Sequence, residues 1–252
     1  MRHHLTLGSM LVTLLTAATL LAADPPVIPA SQPATQPTAT LPAIKQLLAQ
    51  LAADNYLTRE NARIALMGLK RSDLPLLRDA VRQSLPLVPS QVTVLREIVT
   101  QVYLAGDIYV ADEDGRGFLG VHMPDSGAPE ERALLNVERG VVVVSRVPGF
   151  CAYRMLQDGD VLLSMADGAG GAIEFASNDQ LVDAVRSAKA GDTVQFEVLR
   201  QGQILTIPIT LDHKPMSLHV RMDIEEFNGR RADQVNDLWD RDFAPLLVET
   251  LG

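Results

Sequence analysis

Gly117-Phe118-Leu119-Gly120-Val121 is the stretch on which the reading of this chain turns. Two glycines bracket two apolar residues, a third apolar residue follows, and Arg116 stands immediately upstream. Glycine reaches positive φ without a Cβ penalty, so successive backbone N–H groups can point into one concavity. Such a nest binds anions, a peptide's terminal carboxylate among them. The same five residues also suit a glycine-flanked turn into a strand, and spacing alone leaves both readings open.

The residues downstream narrow the choice. Val121-His122-Met123 reads as a strand, residues 124–127 as a turn and residues 129–135 as a short helix. Residues 141–144 are four consecutive valines, expected to form a buried strand. A helical turn over residues 152–156 leads through Gln157-Asp158-Gly159-Asp160 into a strand over 161–165. Ser177 stands where a helix N-cap belongs, before Leu181, Val182, Ala184 and Val185, and Ala190-Gly191-Asp192 ends that helix. Val194, Phe196 and Val198 alternate with polar residues. After a turn at Gln201-Gly202, Leu205, Ile207, Ile209 and Leu211 do the same, which is the pattern of a hairpin. Pro208 cannot donate to a ladder, so its N-side must face outward or lie at a bulge.

In this order the motifs resemble a PDZ domain over residues 107–213, of the bacterial kind that follows the protease in HtrA-type proteins. The resemblance implies an α+β fold, a partly open β-barrel capped by helices. It also implies that a peptide C-terminus adds as a strand beside the one after the glycine loop. The carboxylate would meet the N–H groups of Leu119, Gly120 and Val121 in the loop that carries Phe118, with Arg116 contributing charge. The peptide would run along Val121, His122 and Met123. Leu119, Val121, Val182 and Val185 would line the pocket for its last side chain, and Leu181 would face the core. Asn178 takes the first groove-facing helical position, where many PDZ domains carry a histidine that selects Ser or Thr in the ligand. Pro148-Gly149-Phe150-Cys151-Ala152 stands where many bacterial members have a Pro-x-Ser-Pro-Ala-type turn. Phe150 and Cys151 depart from that pattern. The expected ligand is an apolar-ended C-terminus or exposed strand, bound at about micromolar strength, or about −8 kcal/mol.

Upstream, a short positive head at Met1-Arg2-His3-His4 precedes an uncharged apolar run and small residues at Ala22-Ala23. Residues 1–23 therefore read as a signal peptide, with periplasmic or secreted destination, or as a membrane anchor if uncleaved. Residues 24–42 hold six prolines among Ala, Thr, Ser and Gln and read as an extended linker. Residues 43–106 show four amphipathic stretches at helical spacing, with Thr58 and Ser90 as candidate caps. The phrase Tyr56-Leu57-Thr58-Arg59-Glu60-Asn61-Ala62, with Leu66, Gly68 and Leu74-Pro75, resembles HEAT-type repeats. Arrays of that kind usually need about three units, so other parts of the chain are expected to complete the core. Residues 214–252 form a tail with an alternating Leu218-Val220-Met222 and a helix around Val235, Leu238 and Trp239.

Composition sets the limits of function. The 252 residues carry a net charge of −9 without basic runs, which argues against nucleic acid and anionic membrane surfaces as partners. One cysteine, Cys151, rules out an internal disulfide and reads as a small buried apolar residue. His213 and His219 have no Cys/Asp cluster at a metal spacing, so neither a metal nor a cofactor is expected. No Gly-Asp/Asn-Ser-Gly-Gly nucleophile loop occupies the place of the HtrA protease, and Lys45, Lys70, Lys189 and Lys214 sit in no Ser/Lys dyad context. The expectation is a non-catalytic adaptor or scaffold. A structural part of an envelope or secretion assembly, and a degenerate HtrA-related or unrecognised hydrolase, are the alternatives.

Overall fold

Two hydrophobic cores, one helical and one mostly of strands, are joined through buried ionic contacts. The computed structural model describes residues 39–107, 110, 114–123, 139–166, 171–215 and 224–248. The signal peptide, most of the linker, the short helix expected over 129–135 and the strand expected over 218–222 lie outside the described residues.

The helical layer begins with α1, Leu41–Gln50. Thr40 accepts the Ala43 N–H at 3.4 Å and Pro42 occupies the first turn, so the helix starts inside the expected linker. α2 spans Tyr56–Met67, and its cap is Asn55 rather than Thr58: the Asn55 side chain accepts the Thr58 N–H at 3.0 Å. A 3-10 turn, Arg71–Asp73, leads into α3, Leu74–Gln83. α4, Pro89–Leu104, starts after Val88, so the expected cap Ser90 is already inside the helix.

The strands are β1 Gly117–Phe118, β2 Val121–His122, β3 Val141–Val142, β4 Ser145–Arg146, β5 Val161–Ala166, β6 Ala172–Glu174, β7 Thr193–Arg200, β8 Gln203–Thr210 and β9 Asp212–His213. Helices α5, Cys151–Met155, and α6, Asn178–Ser187, lie among them. The tail supplies α7, Ile224–Asp242, and α8, Ala244–Val248. All pairings are antiparallel: β1 with β9, β2 with β4, and a larger sheet in the order β3-β5-β7-β8 with β6 beside β5. Among the described residues these sheets do not join into the expected barrel. The valine run is also not one buried strand, because Val144 is 49% exposed between two short strands. Pro208 lies on β8, the sheet edge, where its missing N–H costs no ladder bond.

The strand core gathers Leu162, Phe175, Leu181, Phe196, Val198 and Ile207. The helical core joins Leu48, Leu66, Leu77, Leu95 and Val99 to the tail's Leu238, Trp239, Phe243 and Leu246. Trp239 stacks on Phe243 at 5.8 Å, so the tail completes the apolar face that two helical hairpins leave open. Between the cores, Arg200 bonds Asp160 at 2.7 and 2.8 Å and approaches Glu60 at 3.5 Å. Arg63 bonds Glu60 at 2.7 and 2.9 Å and donates to the Arg154 carbonyl at 2.8 Å. Buried charges persist only when paired in this way. Burial alone would push the Glu60 carboxyl up, but the Arg63 hydrogen bonds and the Arg63 and Arg200 charges hold it below its ordinary value.

Candidate functional site

The loop from β1 to β2 and the flank of α6 enclose a cleft of about 370 Å³. Arg116, Phe118, Leu119, Gly120, Val121, Met123, Val182 and Val185 line it, all of them singled out from the sequence. His122 and Asn178 are not among the lining residues; His122 turns its carbonyl to the Val144 N–H at 3.0 Å. Gly117, Leu181, Arg186 and Lys214 also line the cleft. Leu181 is therefore both core residue and cleft floor, being 1% exposed. Arg186 follows Val182 by four residues and was legible from helical phase. Lys214 was not, because the pairing of Gly117 with His213 brings it there.

The carbonyls of the loop determine what its amides can do. The Phe118 and Leu119 carbonyls accept from the Cys151 thiol at 3.5 and 3.4 Å. Leu119 accepts also from the Ala152 N–H at 3.2 Å, and Gly120 from the Val147 N–H at 2.8 Å. In a planar trans peptide the C=O and the next N–H point in opposite directions. Three carbonyls drawn toward residues 147–152 therefore turn the N–H groups of Leu119, Gly120 and Val121 the other way, to the cleft side. Gly120 is at φ +77°, and a Cβ there would fall 2.7 Å from Phe150 Cβ. Glycine is thus required by conformation and by space.

Strand β2 continues the same logic. Gly120 and His122 spend their carbonyls on the β4 side. Alternation in an antiparallel pair leaves the backbone groups of Val121 and Met123 on the opposite edge. No strand pairs with that edge among the described residues. The Gly117 N–H donates to the Ala188 carbonyl at 2.8 Å, fastening the loop's start to the end of α6. The cleft thus offers a nest of amides, an open strand edge and an apolar wall.

Its rim is cationic. Arg116 and Arg186 are exposed, Lys214 is half-buried, and among the described residues no carboxylate lines the cleft. Arg116 also pairs with Asp114 at 3.0 Å. Beneath the loop, the Cys151 N–H donates to Asp212 at 2.5 Å. Burial, and then the Asp212 carboxylate, push the Cys151 thiol well above its ordinary value. It therefore stays protonated at neutral pH and serves as a donor to the loop carbonyls. Asp212 is itself raised, chiefly by burial.

No known protein family's sequence pattern matches the chain. No curated protein matches it either. Solved structures similar to it include the HtrA-type protease AlgW with a decapeptide, at 24% identity over 49% of this chain and 35% of that one, with a TM-score of 0.33. The same protease with a tripeptide is 28% identical over 40% of this chain and 32% of that one, also with a TM-score of 0.33. The HtrA3 PDZ domain bound to a phage-derived ligand is 20% identical over 43% of this chain and 96% of that domain, with a TM-score of 0.34. The chain spans about a third of the length of the proteases it resembles.

Proposed function

We propose that this chain is an exported, non-catalytic protein that binds the C-termini or extended segments of partner proteins by PDZ-type strand addition, as an adaptor or scaffold. The observation that carries the reading is the set of anchored carbonyls at Phe118, Leu119 and Gly120, which turns three successive amides toward one cleft. A peptide carboxylate satisfies those donors, and its last apolar side chain enters the wall of Leu119, Val121, Val182 and Val185. The peptide backbone pairs with the Val121–Met123 edge. Arg116, Arg186 and Lys214 add attraction for the terminal charge. Export is supported by the positive head and apolar run at the N-terminus. The HEAT-like reading of α1–α4 is supported by their hairpin succession and by the tail that completes their core.

Fluorescence titration with peptides ending in Val, Leu or Ala tests the proposal. Free-carboxylate forms should bind at about micromolar strength, and C-terminal amides about tenfold or more weakly, a difference of about 1.4 kcal/mol. Equal binding of free and amidated forms, or of peptides ending in Val and in Asp or Lys, overturns it. Labelling by an activity-based serine or cysteine probe would overturn the non-catalytic part.

A further inference from the structure

The turn that backs the amide nest is itself held from the helical layer. The Gly149 N–H donates to Gln101 Oε1 at 2.7 Å, and Gln101 Nε2 donates to the Phe150 carbonyl at 3.3 Å. From the tail helix α7, Arg231 Nη1 donates to the Pro148 carbonyl at 2.7 Å. Its Nη2 donates to the Leu104 carbonyl at 3.1 Å, and its Nε to Asp107 at 3.0 Å. Asp107 is shared with Arg71 at 3.2 Å. The guanidinium lies 5.3 Å from the Phe150 ring and 4.7 Å from the Phe227 ring. Gln101 and Arg231 are both buried, at 4% and 7% exposure. Gly149 sits at φ +88°, and a Cβ there would fall 2.4 Å from Arg231 Nη2.

The next residues in the chain do the holding described above. Phe150 meets Phe118 edge-on at 4.9 Å, and Cys151 and Ala152 bond the Phe118 and Leu119 carbonyls. The path from Arg231 to the nest is therefore two links long: guanidinium to turn, turn to loop carbonyls. Each link is made of buried or half-buried hydrogen bonds and ring contacts, the kind of contiguous packing through which position is transmitted.

We propose that Arg231 and Gln101 are positioning residues for the carboxylate nest, so that the tail helix and α4 set the strength with which a peptide end is held. The proposal rests on the peptide-binding reading. It makes the helical layer and tail a working part of the binding module rather than an appended spacer. Coupling between two such places is reciprocal, so a bound peptide must also tighten the turn.

The test uses the full chain. Arg231→Lys keeps a cation beside Asp107 but lacks the planar fork that serves Pro148, Leu104 and Asp107 together. Gln101→Met removes the turn's bonds from the other helix. For each variant that keeps a cooperative thermal transition, affinity is measured for one peptide as free acid and as amide. Damage to folding alone weakens both forms alike. A displaced nest weakens the acid selectively, and the acid-to-amide preference should fall about fivefold or more. In the unaltered protein, the acid peptide should also slow hydrogen exchange of the Gly149 amide. An unchanged preference in the variants, or Gly149 exchange indifferent to bound peptide, overturns the inference. Failure of the unaltered protein to prefer the acid would instead refute the peptide-binding reading itself.

Discussion

Replacing Gly120 by alanine should damage this protein twice, and the two injuries can be separated. At φ +77° an L-residue costs about 1–2 kcal/mol relative to glycine. The new Cβ would also stand 2.7 Å from Phe150 Cβ and 3.2 Å from its Cγ, against an ordinary carbon separation of about 3.5–4.0 Å. Phe150 is 1% exposed, and its backbone is held by Gln101, so it has little room to retreat. Such overpacking adds about 1–3 kcal/mol. Gly159 is the control, because it lies at φ +88° with nothing within 4 Å of a built Cβ. Gly159→Ala should therefore carry only the backbone cost of about 1–2 kcal/mol. For a chain of this size each kcal/mol is worth about 2–4 °C in the thermal midpoint. Calorimetry should place Gly120→Ala about 4–20 °C below the unaltered protein and clearly below Gly159→Ala. Peptide titration should show weakened binding for Gly120→Ala alone, because only that variant pushes the nest off its anchors. Equal midpoints for the two variants, or undiminished binding by Gly120→Ala, would refute the steric argument.

Glu60 should make stability pH-dependent. Its carboxyl is held below its ordinary value in the folded chain, so the unfolded chain binds the proton more readily. Its contribution is complete above the ordinary value of 4.5 and is lost as pH falls through the lower folded value. Glu60→Gln should flatten the acid limb of a urea-denaturation series and cost about 3–5 kcal/mol at neutral pH, since it leaves part of the Arg63 and Arg200 charge uncompensated. An unaltered acid limb would refute the assignment. Lys214→Glu should weaken binding of free-acid peptides at low salt, with the difference shrinking as salt rises. A salt-independent loss, or none, would remove Lys214 from the electrostatic rim.

Among the described residues of 117–213 most elements were legible because each rests on residues near one another in the chain, though the strand β6, Ala172–Glu174, was not read. The hairpin β7–β8 announces itself by period-two alternation around Gln201-Gly202, and α6 by Ser177 and its apolar phase. The nest was legible through its glycines, since the φ that Gly120 requires depends on that residue type. Caps were read less well. Asn55 and Thr58 are both good capping types within one turn, and only the hydrogen-bond geometry chooses between them. Four valines in a row state burial but not where the chain bends, so the exposed Val144 was missed.

Neighbouring residues alone set the local alphabet: most of the helices and strands, where glycine frees the backbone, and the apolar phase of each helix. Tertiary structure alone decided which distant groups serve them. It brought Cys151 and Ala152 beneath the nest, Lys214 to its rim, Arg200 to Asp160 and Glu60, and Trp239 into the core of α1–α4. It also left the sheets unjoined among the described residues where a barrel was expected. The physical reason is range. Periodicity and capping are fixed by neighbours within a turn or a pleat. The partner of a buried guanidinium or a loop carbonyl is fixed by how whole elements dock, which no spacing along the chain records.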